Sequence, residues 1–206
     1  MLKKYIVPIV ASLSLVLTSC AKIYYSPDAF SLAKTHSTIA VLPPTVSIAA
    51  GRKTEAGAIL EQQRTETLNF QKEMYSWLLK RKRQGTITQE ILDIETTNAK
   101  LRRAGYPETP LTPYEMCEIL GVQGVMLSNY ALSKPMSDGA GIALAILGVS
   151  GTTNEVRVSL SINDCDNKKL IFNYDHKFSG GLGSSPARLV ESLMAQASRK
   201  MPYFKN

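Results

Sequence analysis

From Asn154 to Asn163 apolar and polar residues alternate one for one. Val156, Val158, Leu160 and Ile162 stand against Arg157, Ser159, Ser161 and Asn163. Successive side chains of an extended chain point to opposite faces, so this run predicts a strand with one buried and one wetted face. Asp164 to Lys168 reads as a turn, and Lys169 to Phe178 as the strand that returns beside it in an antiparallel hairpin. Thr38 to Leu42 is a short apolar strand stopped by Pro43-Pro44, with residues 45–54 expected as a loop. Thr86 to Ile91 alternates more weakly, and Val122 to about Leu132 is a further strand.

Other stretches carry the helical period. In the segment from Glu55 to about Arg83, Thr67, Phe70, Met74, Trp77 and Leu78 recur at three- and four-residue steps and predict one long helix. It ends in Lys80-Arg-Lys-Arg83 and Gly85. Cations in the last turn oppose the helix dipole and glycine suits the exit. That basic run reads as a solvated helix end or as a contact with anionic lipid or a partner. Asp93 caps a short helix through Ala104, closed by Gly105. Tyr106 to Leu111 is a proline-rich turn. Thr112, Pro113 and Glu115 form a capping box ahead of a helix ended by Gly121. Ser185 and Pro186 open a last helix with an apolar stripe on Leu189, Leu193 and Ala197. The expected fold is α/β of the α+β type: a single mixed five-stranded sheet packed with helices.

One connection breaks the pattern. DGAGIALAILGVSGTTNE, Asp138 to Glu155, joins two predicted strands, yet Ile142 to Val149 has no polar side chain. The run is too short to span a bilayer as a helix, which needs about 20 apolar residues. Ile142, Leu144, Ile146, Leu147 and Val149 therefore pack on their own domain, contact a partner or second copy, or dip into a membrane.

The chain begins MLKKYIVPIVASLSLVLTSC. Lys3 and Lys4, an apolar run to Leu17 and small residues after it form a secretory signal. Leu17-Thr18-Ser19-Cys20 looks like the bacterial lipobox, which implies a diacylglyceryl thioether on Cys20 and an acylated amine. Residues 1–19 are then signal peptide, 20–37 a lipidated cysteine and tether, and 38–206 one α/β domain. Acyl chains anchor at about 0.8 kcal/mol per buried methylene, so two or three hold a protein firmly. By analogy with the sorting rules of known lipoproteins, the absence of aspartate at Ala21 implies the outer membrane, and the absence of an acidic cluster its periplasmic face.

Composition adds little chemistry. The formal charge of +7 includes Lys3 and Lys4. An exported chain meets anionic lipid or an acidic partner, not nucleic acid. Of three cysteines Cys20 is lipidated. If the strands before and after the apolar connection are antiparallel, Cys117 and Cys165 reach the same edge, as a disulfide or as two thiols. The two histidines, His36 in the tether and His176 in a strand, stand without a nucleophile motif. Asp164-Cys-Asp-Asn lacks the glycine and distal glutamate of a calcium loop. Gly180, Gly181 and Gly183 lack the Lys-Ser/Thr of a phosphate loop. No cofactor, metal site or catalytic set is expected.

Ile39-Ala-Val-Leu-Pro-Pro44, Leu111-Thr-Pro-Tyr-Glu-Met-Cys-Glu-Ile-Leu-Gly-Val122 and the hairpin from Val156 to Tyr174 resemble a group of envelope lipoproteins. Their fold is similar to the anticodon-binding domain and to the N-terminal domain of the translocation protein TolB. The group includes the curli secretion lipoprotein and the lipoprotein activators of penicillin-binding proteins. More narrowly, the whole chain looks like lipoproteins of Bacteroidota-type bacteria. The resemblance implies a non-enzymatic binding, adaptor or assembly domain with an envelope protein or a second copy as partner. The alternative is an oligomeric secretion or pore-associated subunit.

Overall fold

The computed structural model describes residues 21–49, 56–132, 155–179 and 185–204. Their elements run β1 (Lys22–Tyr25), α1 (Ala29–Thr35), β2 (Thr38–Val41), β3 (Thr45–Ile48), α2 (Ala56–Arg83), β4 (Glu90–Leu92), α3 (Ile94–Arg103), α4 (Pro113–Leu120), β5 (Gly124–Leu132), β6 (Glu155–Asp164), β7 (Lys169–Ser179) and α5 (Pro186–Ala197). Among the described residues the seven strands form one mixed sheet, ordered β1-β7-β6-β5-β2-β4, with β3 also beside β5. β1, β7, β6 and β5 are antiparallel neighbours. β2 and β3 run parallel to β5, and β4 parallel to β2. This is the expected α/β class with a single mixed sheet; it has seven strands instead of five, and β1 and β3 are the additions.

Both additions have physical causes. Pro43 and Pro44 have no N–H to donate, so they interrupt the ladder along β5 without ending it. β2 pairs Ile39 to Val41 with Gly124 to Met126, and β3 resumes with Thr45 to Ile48 beside Asn129 to Leu132. The loop expected from residue 45 is therefore strand through Ile48, with Val46 and Ile48 buried and Thr45 and Ser47 exposed. The expected tether is corrected too. Lys22 to Tyr25 pairs with Asp175 to Phe172 at the sheet edge, and α1 follows with Ala29 and Ala33 fully buried. The strand read over 86–91 shrinks to β4. Thr86 N–H bonds back to Arg81 O, and the Lys82 ammonium donates to the carbonyls of Thr88 and Gln89, so residues 86–89 wrap the end of α2.

Helix ends follow the sequence closely. Asp93 Oδ1 accepts from Thr96 N at 2.7 Å, and the chain leaves α3 through Gly105 at φ +90°. Thr112 Oγ1 accepts from Glu115 N while the Glu115 carboxylate accepts from Thr112 N, so the capping box is complete. These bonds hold the Asp93 and Glu115 carboxyls below the usual carboxylate range.

Two cores flank the sheet. The larger holds Ile39 and Val41 of β2, Met126 and Tyr130 of β5, the even positions of β6, and the inner faces of α2 and α5. The smaller lies on the opposite face, where Ala40, Leu42 and Val125 meet Leu101 of α3 and Met116 and Leu120 of α4. β2 is thus buried on both faces, which explains its unbroken apolar run. A reciprocal amide pair joins the layers: Gln71 donates to Asn98 Oδ1 at 3.0 Å and to Val41 O at 2.9 Å, and Asn98 returns a bond to Gln71 Oε1 at 2.8 Å.

Candidate functional site

The proline break between β2 and β3 leaves a cleft of ≈ 300 Å³ on the α4 side of the sheet. Leu42, Pro43 and Thr45 form one wall, the Tyr106–Leu111 turn the opposite wall, and Leu127 to Asn129 of β5 the floor, with Met116 beneath. Among the described residues no charged side chain lines it. Burial pushes the Tyr106 phenol above its ordinary value, so it stays a neutral hydroxyl. Apolar walls with a few hydroxyl and amide groups suit an apolar side chain or a short extended segment of a partner.

At the other end of β5 lies a buried polar network that the sequence reading missed. His36 follows α1, Asp164 ends β6, and Tyr203 lies past α5. His36 Nε2 is 2.7 Å from Asp164 Oδ1, and His36 Nδ1 is 2.7 Å from the Tyr203 hydroxyl. The His36 and Asp164 side chains are 0% and 1% exposed. Asp164 Oδ2 accepts from Asn167 N at 2.6 Å and from Asn167 Nδ2 at 2.9 Å. Facing a carboxylate, Nε2 carries the proton that donates to Asp164, while Nδ1 and the Tyr203 hydroxyl share the second bond. Burial pushes the Asp164 carboxyl up, but the bonds from His36 and Asn167 outweigh it and hold it below its usual value. Burial, with the Asp164 charge nearby, raises the Tyr203 phenol well above its own. Buried this deeply, the network acts as a clamp between distant parts of the chain.

Gly124 makes room for it. A Cβ there would stand 2.5 Å from both His36 Nδ1 and the Tyr203 hydroxyl. Gly124→Ala is expected to cost about 1–3 kcal/mol through overpacking, read as a lower urea midpoint with unchanged slope. Next to it, Gln123 Oε1 accepts from Ser37 Oγ at 2.8 Å and Thr38 N at 2.9 Å, fixing the same crossing.

The residues singled out by sequence scatter. Cys20 lies outside the described residues, as do Ile142, Leu144, Ile146, Leu147 and Val149 and the glycines 180, 181 and 183. Cys117 of α4 and Cys165 of the β6–β7 turn form a disulfide, with Cα atoms 5.6 Å apart. It clips α4 to the hairpin turn close to Asp164. In the basic run, Arg81 stacks over Trp77 at 4.6 Å and Lys82 pairs with Glu90 at 2.8 Å, so two of its four cations serve the fold. His36 leaves the expected tether for the clamp. His176, expected in a strand, is buried in β7, edge-on to Phe178 at 4.4 Å, and burial lowers its basicity. Among the described residues, no group of three His, Cys, Asp or Glu side chains could hold a metal, and no helix is long and apolar enough to cross a membrane.

The fold and its geometry define a class: one mixed sheet, an antiparallel hairpin at its heart and helices on both faces. No protein-family model and no curated protein matches the chain. Among solved structures it is similar to the crystal structure of lipoprotein GNA1162 from Neisseria meningitidis, at 12% identity over 80% of this chain and 96% of that one, with a TM-score of 0.44. It is also similar to the PelC dodecamer from Paraburkholderia phytofirmans, at 13% identity over 91% and 99% of the two chains, with a TM-score of 0.44. The C-terminal domain of LpoB from Salmonella enterica follows at 12% identity, covering 69% and 82%, with a TM-score of 0.37. At these identities and scores no shared function follows.

Proposed function

We propose that the chain is a lipoprotein anchored to the periplasmic face of the outer membrane, where its folded domain binds an envelope protein or a second copy of itself. Its role is adaptor or assembly accessory, not catalysis. The observation that carries this reading is the Leu17-Thr18-Ser19-Cys20 box after a charged and apolar leader. The uncharged cleft beside Pro43 is consistent with it, being shaped for protein side chains more than for a reacting polar substrate.

The test is mass spectrometry of the N-terminal peptide together with separation of inner and outer membranes. The native chain is expected in the outer-membrane fraction with Cys20 carrying diacylglycerol and an acyl amide. Cys20→Ser is expected to lose both lipid and fractionation while folding normally. Native protein found soluble in the periplasm with an unmodified Cys20 would end the reading. Crosslinking of intact envelopes should give a reproducible protein adduct; turnover of an envelope polymer by the purified protein would instead restore an enzyme.

A further inference from the structure

We propose that the domain is held edge-on against the bilayer that its anchor enters, with the β1–α1 edge of the sheet in the lipid headgroup layer. This rests on acylation of Cys20 as proposed above. Its basis is the missing tether. A free segment over residues 21–37 would let the domain stand up to about 55–60 Å from the membrane. Instead Ala21 packs against the main core and β1 begins at Lys22. The lipidated residue is thus one peptide unit, about 3.8 Å between Cα atoms, from a chain atom fixed in the fold. The domain cannot leave the surface to which Cys20 is bound.

The side chains beside that point suit an interface. Among the described residues seven large hydrophobics are exposed, and four of them, Ile23, Tyr24, Phe30 and Leu170, belong to β1, α1 and the start of β7. Phe30 stacks on Tyr25 with centroids 5.4 Å apart, and Tyr25 leans on Phe172 at 5.5 Å, so the rings are braced from behind. Exposed lysines share their faces. Lys22 and Tyr24 are two apart on a strand, and Phe30 and Lys34 are four apart on a helix. Aromatic rings flanked by lysines are the composition of the headgroup zone, where the ring meets acyl chain and the ammonium meets phosphate. The acidic groups nearby do not oppose this: Asp28 is held by Lys169 at 2.7 and 2.8 Å, and Asp175 stands opposite Lys22 in the ladder.

The experiment uses the full-length acylated protein in vesicles of phosphatidylethanolamine and phosphatidylglycerol. p-Benzoylphenylalanine is placed at Tyr24, at Phe30 or, as a control on the exposed side of α2, at Leu79; all three are surface positions, and unchanged melting confirms the fold. Lipid adducts at Tyr24 and Phe30 are expected at about tenfold the yield at Leu79. A flexible insert of about twenty Gly and Ser residues between Cys20 and Ala21 should lower that yield several-fold by releasing the domain. Equal yields at the three positions, or adducts at Tyr24 and Phe30 to protein in place of lipid, overturn the proposal. If Cys20 proves acylated in those samples, the anchor reading survives that failure. If Cys20 proves unacylated, both fall.

Discussion

Asp164→Ala is expected to destabilise the domain by about 1–3 kcal/mol, because it leaves the buried His36 Nε2–H without its acceptor. The truncation strands His36 Nε2–H and the backbone N–H of Asn167, each of which has Asp164 as its acceptor. An orphaned buried donor costs about 1–3 kcal/mol; His36 is fully buried, whereas Asn167 is exposed and its donors can turn to water. Urea unfolding followed through Trp77 reads the loss. The same residue sets an acid limit. Its folded pKa lies below its unfolded one, so its contribution is complete above the ordinary carboxylate range and is lost as pH falls through the folded value. The stability lead of the native chain over Asp164→Asn should therefore hold at neutral pH and shrink below about pH 4. A lead unchanged down to acid unfolding would mean that the carboxylate charge does not matter to the clamp.

Phe70→Ala is the second large effect, expected at about 3–5 kcal/mol. Phe70 is fully buried at the centre of α2, and its ring stacks on Tyr130 of β5 at 3.9 Å with planes 10° apart. Truncation removes this stack between the long helix and β5 and leaves a cavity in the larger core. For a domain of this size each kcal/mol lowers the melting temperature by about 2–4 °C, so a fall of roughly 6–20 °C is expected. Leu68→Ala, on the 58% exposed face of the same helix, should change stability by no more than about 0.5 kcal/mol. Similar losses for the two variants would show that α2 is not held through this face.

The contrast between these residues explains what was legible in the chain. Phe70 follows a local period, and the strict alternation of β6, the capping box at Thr112 and the glycine exits at Gly105 and Gly121 are equally local signals. Each appears in the structure within a residue or two of its expected place. β1, β3 and the clamp are different. β1 is four residues long and gains its partner from β7, some 150 positions later. β3 hides behind two prolines that normally end a strand. His36, Asp164 and Tyr203 are 128 and 167 residues apart along their two bonds. Nothing near any of them in sequence marks the pairing. The proline-rich turn from Tyr106 was legible as a turn, but its place opposite Pro43 depends on how α3 and α4 pack, so the cleft was not.

If the chain is exported as proposed, the clamp has a consequence for how it crosses the membrane. A secreted polypeptide threads its channel unfolded, with the leader first. Here β1 waits for β7, and His36 waits for Tyr203 beyond the last helix. The early segments cannot close their final contacts while the late ones are still on the near side. Under that proposal, a fold that locks only when its distant parts arrive together stays open while the chain is threaded. An oxidising compartment on the far side would then let the Cys117–Cys165 bridge close last.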